Sequence, residues 1–386
     1  MAHNFPSLWR LDPKVTFLNH GSFGACPAAV LDVQAAMRAE MEREPVDFLA
    51  VNLPARLNAA REEFAPFLNA DPHDLVFVAN ATTGVNAVLR SLSFATGDEI
   101  LLTNHTYAAC RKTVDYIAGR TGARPVVAQL PFPLEHEDDA VAPILECVTS
   151  RTRIALLDHV TSPTALVLPL SRLIAELRAR GVESVVDGAH APGMVSLDLP
   201  ALGAAYYTGN AHKWLCAPKG AAFLHVRRDR HADLHPLVIS HGYPDGLRAE
   251  FDWTGTSDPT PWLCIPEVVR YMGGLLPGGW PEIMATNRAL ALKARALLLE
   301  KFGIEAPCPE SMIGSIASIP LPPALPGSAA ARLDSVGLCA WFRERGVRTW
   351  AYENPVRLLR VSAQLYNNLD QYRALAGLLE EALRGG

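Results

Sequence analysis

Lysine is scarce in this chain: six in 386 residues, at positions 14, 112, 213, 219, 293 and 301. A lysine placed inside an apolar stretch is therefore not there for solubility. Blocks of basic residues are absent too. The 35 basic and 40 acidic side chains are interspersed and sum to a formal charge of −5, which is not the footprint of a nucleic-acid binder or of a membrane-surface protein. No window of 18 or more apolar residues occurs, so no spanning helix is expected. Met1–Pro6 lacks a charged start followed by an apolar run, so no secretory signal is predicted and the expected location is the cytoplasm. The seven cysteines are scattered, odd in number and never arranged as CxxC. Reduced thiols in a core are the expectation, with neither a disulfide framework nor a metal site. The nucleotide-binding signatures are missing as well. Gly21-Ser22-Phe23-Gly24 has neither the G-x-G-x-x-G spacing nor a strand before it, and no G-x-x-x-x-G-K-[ST] or H-E-x-x-H is present, which argues against a nucleotide-binding oxidoreductase.

What is present is a large apolar inventory, 49% hydrophobic against 19% charged. That suits one large and one smaller domain with a sizeable core. Between residues 75 and 226 short β-rich runs alternate with helical stretches: strands at 75–78, 99–102, 124–127, 153–157 and 183–187, helices at 83–92 and 170–180. This alternation predicts an α/β fold with a mostly parallel sheet between helices. Earlier helices at 28–41 and 53–68 would cover that sheet. Residues 261–279 are rich in Pro and Gly. A long helix at 281–301, strands at 313–319 and 356–361, a four-proline loop at 320–327 and helices at 334–344 and 369–383 read as a smaller α+β unit. The expected organisation is an N-terminal segment 1–25, a large domain 26–260 and a small C-terminal domain 261–386.

In a doubly wound sheet, ligands bind beyond the carboxyl ends of the strands. Four places there carry chemistry. Asn80-Ala81-Thr82-Thr83-Gly84 opens a helix, and a helix N-terminus with hydroxyls is either a phosphate site or a plain N-cap. Asp187-Gly188-Ala189-His190 ends a strand, so Asp187 is a charge partner for a ring nitrogen, a metal ligand or a turn former. Lys213 closes the aromatic stretch that begins at Tyr206; buried there, it would lose its proton readily and become a nucleophile toward aldehydes. Arg360 sits in an apolar strand and needs an anionic partner, a structural carboxylate or a substrate's.

The order Thr82/Thr83, Asp187, Lys213 26 residues later and a distant Arg360 resembles fold-type I enzymes that use pyridoxal 5′-phosphate (PLP). The motifs at 17–24, 80–84, 159–163, 187–190, 212–214 and 253–258 are similar to aminotransferase class V, and within it to isopenicillin-N-epimerase-like proteins. The resemblance implies a seven-stranded, mostly parallel sheet and a homodimer with active sites at the subunit interface. It implies catalytic roles for Lys213 as the aldimine lysine, for Asp187 at the pyridine nitrogen and for His190 near the phenolic oxygen. Ala81, Thr82 and Thr83 would hold phosphate, supported by Thr208 and His212, with Thr256 reaching the neighbouring subunit's cofactor. Tyr107, or His105 instead, would cover the ring, and His159 and Ser162 would line the pocket. Arg360 would take the substrate carboxylate, with Asn19 and His20 nearby. The region before Arg360, residues 346–355, has no cysteine, which disfavours a persulfide-relay desulfurase. Epimerisation leads among the reactions implied; C–S cleavage of a cysteine conjugate and transamination remain open, because all begin on the same amino-acid adduct.

Overall fold

The structure is a computed structural model that describes residues 5–384; the reading of Met1–Asn4 as lacking a signal lies outside them. In chain order the elements that matter are α1 (Ala28–Arg43), α2 (Leu53–Phe64), β1 (Leu75–Val78), α3 (Ala81–Ser91), β2 (Glu99–Thr103), α4 (Ala108–Thr121), β3 (Arg124–Ala128), β4 (Thr152–Asp158), α5 (Leu170–Ala179), β5 (Glu183–Asp187), β6 (Tyr206–Asn210), β7 (Ala222–Val226), α6 (Ile265–Gly273), α7 (Gly279–Phe302), β8 (Ile316–Pro320), α8 (Ser335–Glu344), β9 (Trp350–Tyr352), β10 (Leu358–Ser362) and α9 (Leu369–Arg384).

Strands β1 to β7 form one seven-stranded sheet in the order β1-β7-β6-β5-β4-β2-β3. It is parallel except for β7, which runs antiparallel to both β1 and β6. The strands read as continuous apolar runs because both faces are covered. Val76, Ile100, Leu102, Ile154, Leu156, Val185 and Leu224 face Val85, Val88, Val114 and Ile117 of α3 and α4. The alternate residues Phe77, Leu101, Ala155, Leu157, Val186, Tyr207 and Phe223 face the larger core shared with the remaining helices. This alternation decides which strand-end side chains meet at the site.

The second sheet, β9-β10-β8, is antiparallel and places Arg360 opposite Trp350 and Ser318. The N-terminal segment is tied to this part of the chain: Thr16–Phe17 pairs in parallel with Val347–Arg348, and the amide of Ser362 donates to the carbonyl of Leu18. Helices α4 and α6 and strands β6, β7 and β9 were not among the elements expected from the sequence. Strand β7 carries His225 within its apolar run, and α6 lies within the Pro- and Gly-rich stretch. Pro266 sits in the first turn of α6, where a missing N–H costs nothing, and Ile265, Val268 and Met272 are buried. Among the described residues no helix is long and apolar enough to cross a membrane, and all seven cysteines are free.

Candidate active site

A cavity of about 820 Å³ opens where the carboxyl ends of β4, β5 and β6 meet the N-terminus of α3. Asp158 and Asp187 end β4 and β5 in register with each other, and both border the cavity. Asp187 accepts from the Ala189 amide (3.0 Å) and, through Oδ2, from the Cys110 thiol (3.1 Å). Burial and the Asp187 charge push the Cys110 thiol far up, so it stays a donor. Asp158 Oδ1 accepts from the Tyr107 amide (3.2 Å), while its Oδ2 is buried without a partner. Burial first, and the neighbouring Asp187 charge second, raise the Asp158 carboxyl well above the carboxylate range.

That shift has a measurable consequence. The folded chain holds the Asp158 proton more tightly than the unfolded chain does. Its contribution is therefore fully present below the unfolded value of about 3.9 and is lost as pH rises toward the folded one. Asp158→Asn needs no proton, so the apoprotein variant is expected to gain about 1–3 kcal/mol at pH 7 and nothing near pH 3.5. Thermal unfolding at both pH values checks this, and a variant no more stable than wild type at pH 7 contradicts it.

Lys213 lies in the turn after β6. Burial first, and Arg360 second, lower its amine to about 8. Its Nζ is 3.2 Å from His190 Nε2. The backbone of Lys213 is held from behind: His20 Nε2–H donates to the Lys213 carbonyl (2.9 Å), and Tyr366 Oη–H donates to His20 Nδ1 (2.7 Å). His20 is fully buried, and burial lowers it to about 3. It therefore supports the lysine and does not reach the cavity, unlike the expectation from sequence. His212 borders the cavity with Nδ1–H spent on the Ala221 carbonyl (3.0 Å); burial, and Lys213 after it, lower it to about 4.

At the other end, Asn80 caps α3 by accepting from the Thr83 amide (2.8 Å), and the Ala81 amide donates to Asn210 Oδ1 (2.8 Å). Thr82 and Thr83 border the cavity. Ala81 and Thr208 do not. Thr208 donates to the Phe223 carbonyl (2.8 Å) and packs so closely under α3 that a Cβ on Gly84 would sit 2.3 Å from its Oγ1. Gly84 is what lets the helix N-terminus approach the sheet.

Arg360 is 1% exposed. Nη1 donates to the Ser162 carbonyl (2.7 Å) and hydroxyl (3.1 Å), and Nη2 to the Ser22 hydroxyl (3.0 Å) and more weakly to Asn19 Oδ1 (3.4 Å); Nε has no partner. Among the described residues every hydrogen-bond partner is a neutral oxygen. The structural carboxylate left open by the sequence is not there, and Ser22 and Ser162, which cover the guanidinium, both border the cavity. A buried cation satisfied only by neutral oxygens is costly, and an anion arriving from the cavity would offset that cost.

Three expected site residues sit elsewhere. His159 follows Asp158 and so points to the opposite face of the sheet, since one step along a strand reverses the side chain. Its Nδ1 meets Tyr207 Oη (2.8 Å), and its ring borders a separate cavity of about 510 Å³. His105 is fully buried behind the site against Thr164 Oγ1 (3.0 Å), whereas Tyr107 is 42% exposed and borders the cavity. Thr256 is exposed and is not among the residues that border the cavity of its own chain. Sequence reasoning missed Asp158, Asn210, Ser22, Cys110 and Trp214. The signal for Asp158 was an ionisable residue directly after the apolar run of β4.

The cavity thus combines a neutralisable amine, buried carboxyls at two strand ends, an open helix N-terminus and a cation without an anion. These are the donors that PLP and an amino acid require, and the residues fit that cofactor.

Comparison with known proteins gives the same answer. The aminotransferase class-V family model matches residues 27–339. The chain is 39% identical to isopenicillin N epimerase of Amycolatopsis lactamdurans over 96% of both chains. It is 31% identical to the probable chloroplastic L-cysteine desulfhydrase of Arabidopsis thaliana, over 97% of this chain and 84% of that one. A structure of the cystine C–S lyase C-DES with its product cysteine persulfide superposes with a TM-score of 0.81 at 20% identity, covering 96% of this chain and 98% of that one. The chain belongs to the aminotransferase class V family and is a PLP-dependent enzyme of fold type I.

Proposed function

We propose that the enzyme epimerises an amino acid: Lys213 removes the proton from the α-carbon and releases it to solvent, and a solvent proton is added on the opposite face. The observation that carries the amino-acid substrate is Arg360, a buried guanidinium with no carboxylate of its own. Support for epimerisation is the 39% identity to an isopenicillin N epimerase over nearly the full length. PLP, when bound, supplies an electron-withdrawing ring that takes up the negative charge left on the α-carbon.

The chain's own groups are assigned these roles in that reading. Asp187, fixed by Ala189 and Cys110, holds a proton at the pyridine nitrogen. The α3 N-terminus with Thr82 and Thr83, supported by His212, takes the phosphate. His190 borders the reacting amine, and Tyr107, which borders the cavity, covers the ring. Arg360, steered by Ser22, Ser162 and Asn19, fixes the carboxylate and with it the bond presented to Lys213. Thr256, exposed and not bordering its own cavity, reaches that of a second copy in a homodimer.

A second reading, C–S cleavage, is favoured by the likeness to the desulfhydrase and C–S lyase. Holoenzyme incubated with single L-amino acids, L-cysteine and cysteine conjugates in D₂O separates the two. Epimerisation predicts α-deuteration with formation of the D-isomer and no sulfide or thiol. Release of pyruvate, ammonia and sulfide or thiol without inversion establishes the lyase instead. Conversion of a keto acid to an amino acid establishes a transaminase.

A further inference from the structure

Trp214 follows Lys213 and is 1% exposed. Its indole Nε1 lies 3.3 Å from His190 Nδ1. An indole N–H donates and never accepts, so His190 Nδ1 is the acceptor and carries no proton. The neutral ring then bears its proton on Nε2, the atom 3.2 Å from Lys213 Nζ. An Nε2–H needs a lone pair opposite it. The free amine has one; the ammonium has none and would set donor against donor. We propose that Trp214 is a positioning residue for catalysis: it locks His190 in the Nε2–H tautomer, and this tautomer biases Lys213 toward its free amine.

The charges around the pair are consistent with this bias. Arg360 disfavours the charged amine, while Asp187, Cys110 and Asp158 favour it. Around His190, burial acts first, followed by Lys213, Arg360, His20 and His212, and all keep the ring neutral. Among the described residues His190 is the one group hydrogen-bonded to Nζ. The indole ring also packs on His20, 4.9 Å between centroids, and His20 holds the Lys213 carbonyl. Packing and tautomer control are therefore both available to Trp214, and they separate on a single atom, Nε1–H.

The catalytic consequence rests on the reading of Lys213 as the reacting amine. A proton taken from the α-carbon onto the Nζ lone pair faces Nε2–H, is held weakly and is readily released, so the amine is free again for the next proton. A proton shuttle requires that balance, with both states of the amine accessible near neutral pH.

The test uses apoprotein and needs no substrate, so its result is independent of which reaction the holoenzyme performs. Nitrogen NMR of ¹⁵N-histidine- and ¹⁵N-lysine-labelled protein reads both groups, and six lysines make Lys213 assignable by its loss in Lys213→Ala. Wild type is expected to show His190 neutral between pH 6 and 9, protonated on Nε2 and bare on Nδ1, with the Lys213 amine titrating near 8. Trp214→Phe keeps the aromatic ring and deletes the N–H. It is expected to populate both tautomers and to raise the Lys213 midpoint by about one pH unit, the worth of one buried hydrogen bond. A wild-type ring protonated on Nδ1 overturns the proposal without any variant. An unchanged Lys213 midpoint in folded Trp214→Phe overturns it too and leaves Trp214 a packing role.

Discussion

Lys213→Ala is expected to retain its fold, to lose covalent attachment of PLP and to lose turnover by about 10³-fold or more. Two functions vanish with one side chain: the nucleophile toward the cofactor aldehyde and the base at the α-carbon, and proton transfer by a positioned group alone is worth about 10²–10⁴-fold. Lys213 supplies both because burial and Arg360 lower its amine to about 8. The free amine is the reactive form. Capture of PLP by the wild-type apoprotein should therefore rise as pH increases through about 8, where an ordinary lysine would require values above 10. Borohydride reduction followed by peptide mapping should place the label on Lys213 and on none of the other five lysines. A wild type that stays colourless with PLP, or a variant that retains turnover, removes the central assignment.

Arg360→Gln should weaken kcat/KM for α-amino carboxylates by about 10²–10³-fold, the loss of a two-pronged charge-assisted contact, and leave the bound PLP spectrum nearly unchanged. Arg360→Lys should not rescue it. The guanidinium serves four neutral oxygens through Nη1 and Nη2, and an ammonium cannot present that fork. Amine substrates lacking the carboxylate should be poor with wild type and little affected by the variant. Equal losses for both substrate kinds would show that Arg360 holds the strand and Ser162 in place and does not read the carboxylate.

Much of the fold was visible in the chain. The strands of the large sheet are short apolar runs covered on both faces, and α5 and α9 carry clear helical periodicity. Strand β7 was missed because its short run, Ala222 to Val226, is interrupted by His225 and carries no period of its own. Helix α6 was missed because Pro266 and the nearby glycines read as breakers, though a proline in a first turn is tolerated.

The candidate site was legible where a residue type is out of place in its segment: Lys213 in a lysine-poor chain, Asp187 at a strand end, Arg360 within an apolar strand. It was illegible where the outcome depends on which way a side chain points. His159 and Asp158 are neighbours in sequence, yet the alternation of the strand sends the carboxyl to the cavity and the imidazole to the other face. His20 and Thr208 belong to motifs that suggest ligand contact, but their hydrogen bonds are made to Lys213 and Phe223. Residue types and their spacing were enough for the family, the cofactor chemistry and the few residues whose cost of burial demands a function. Folding was needed to leave Arg360 without a carboxylate partner among the described residues, to bring Asp158 to the same cavity as Asp187, and to set the Trp214 indole N–H against His190 Nδ1. These are distances between residues far apart in the chain, and no local pattern encodes them.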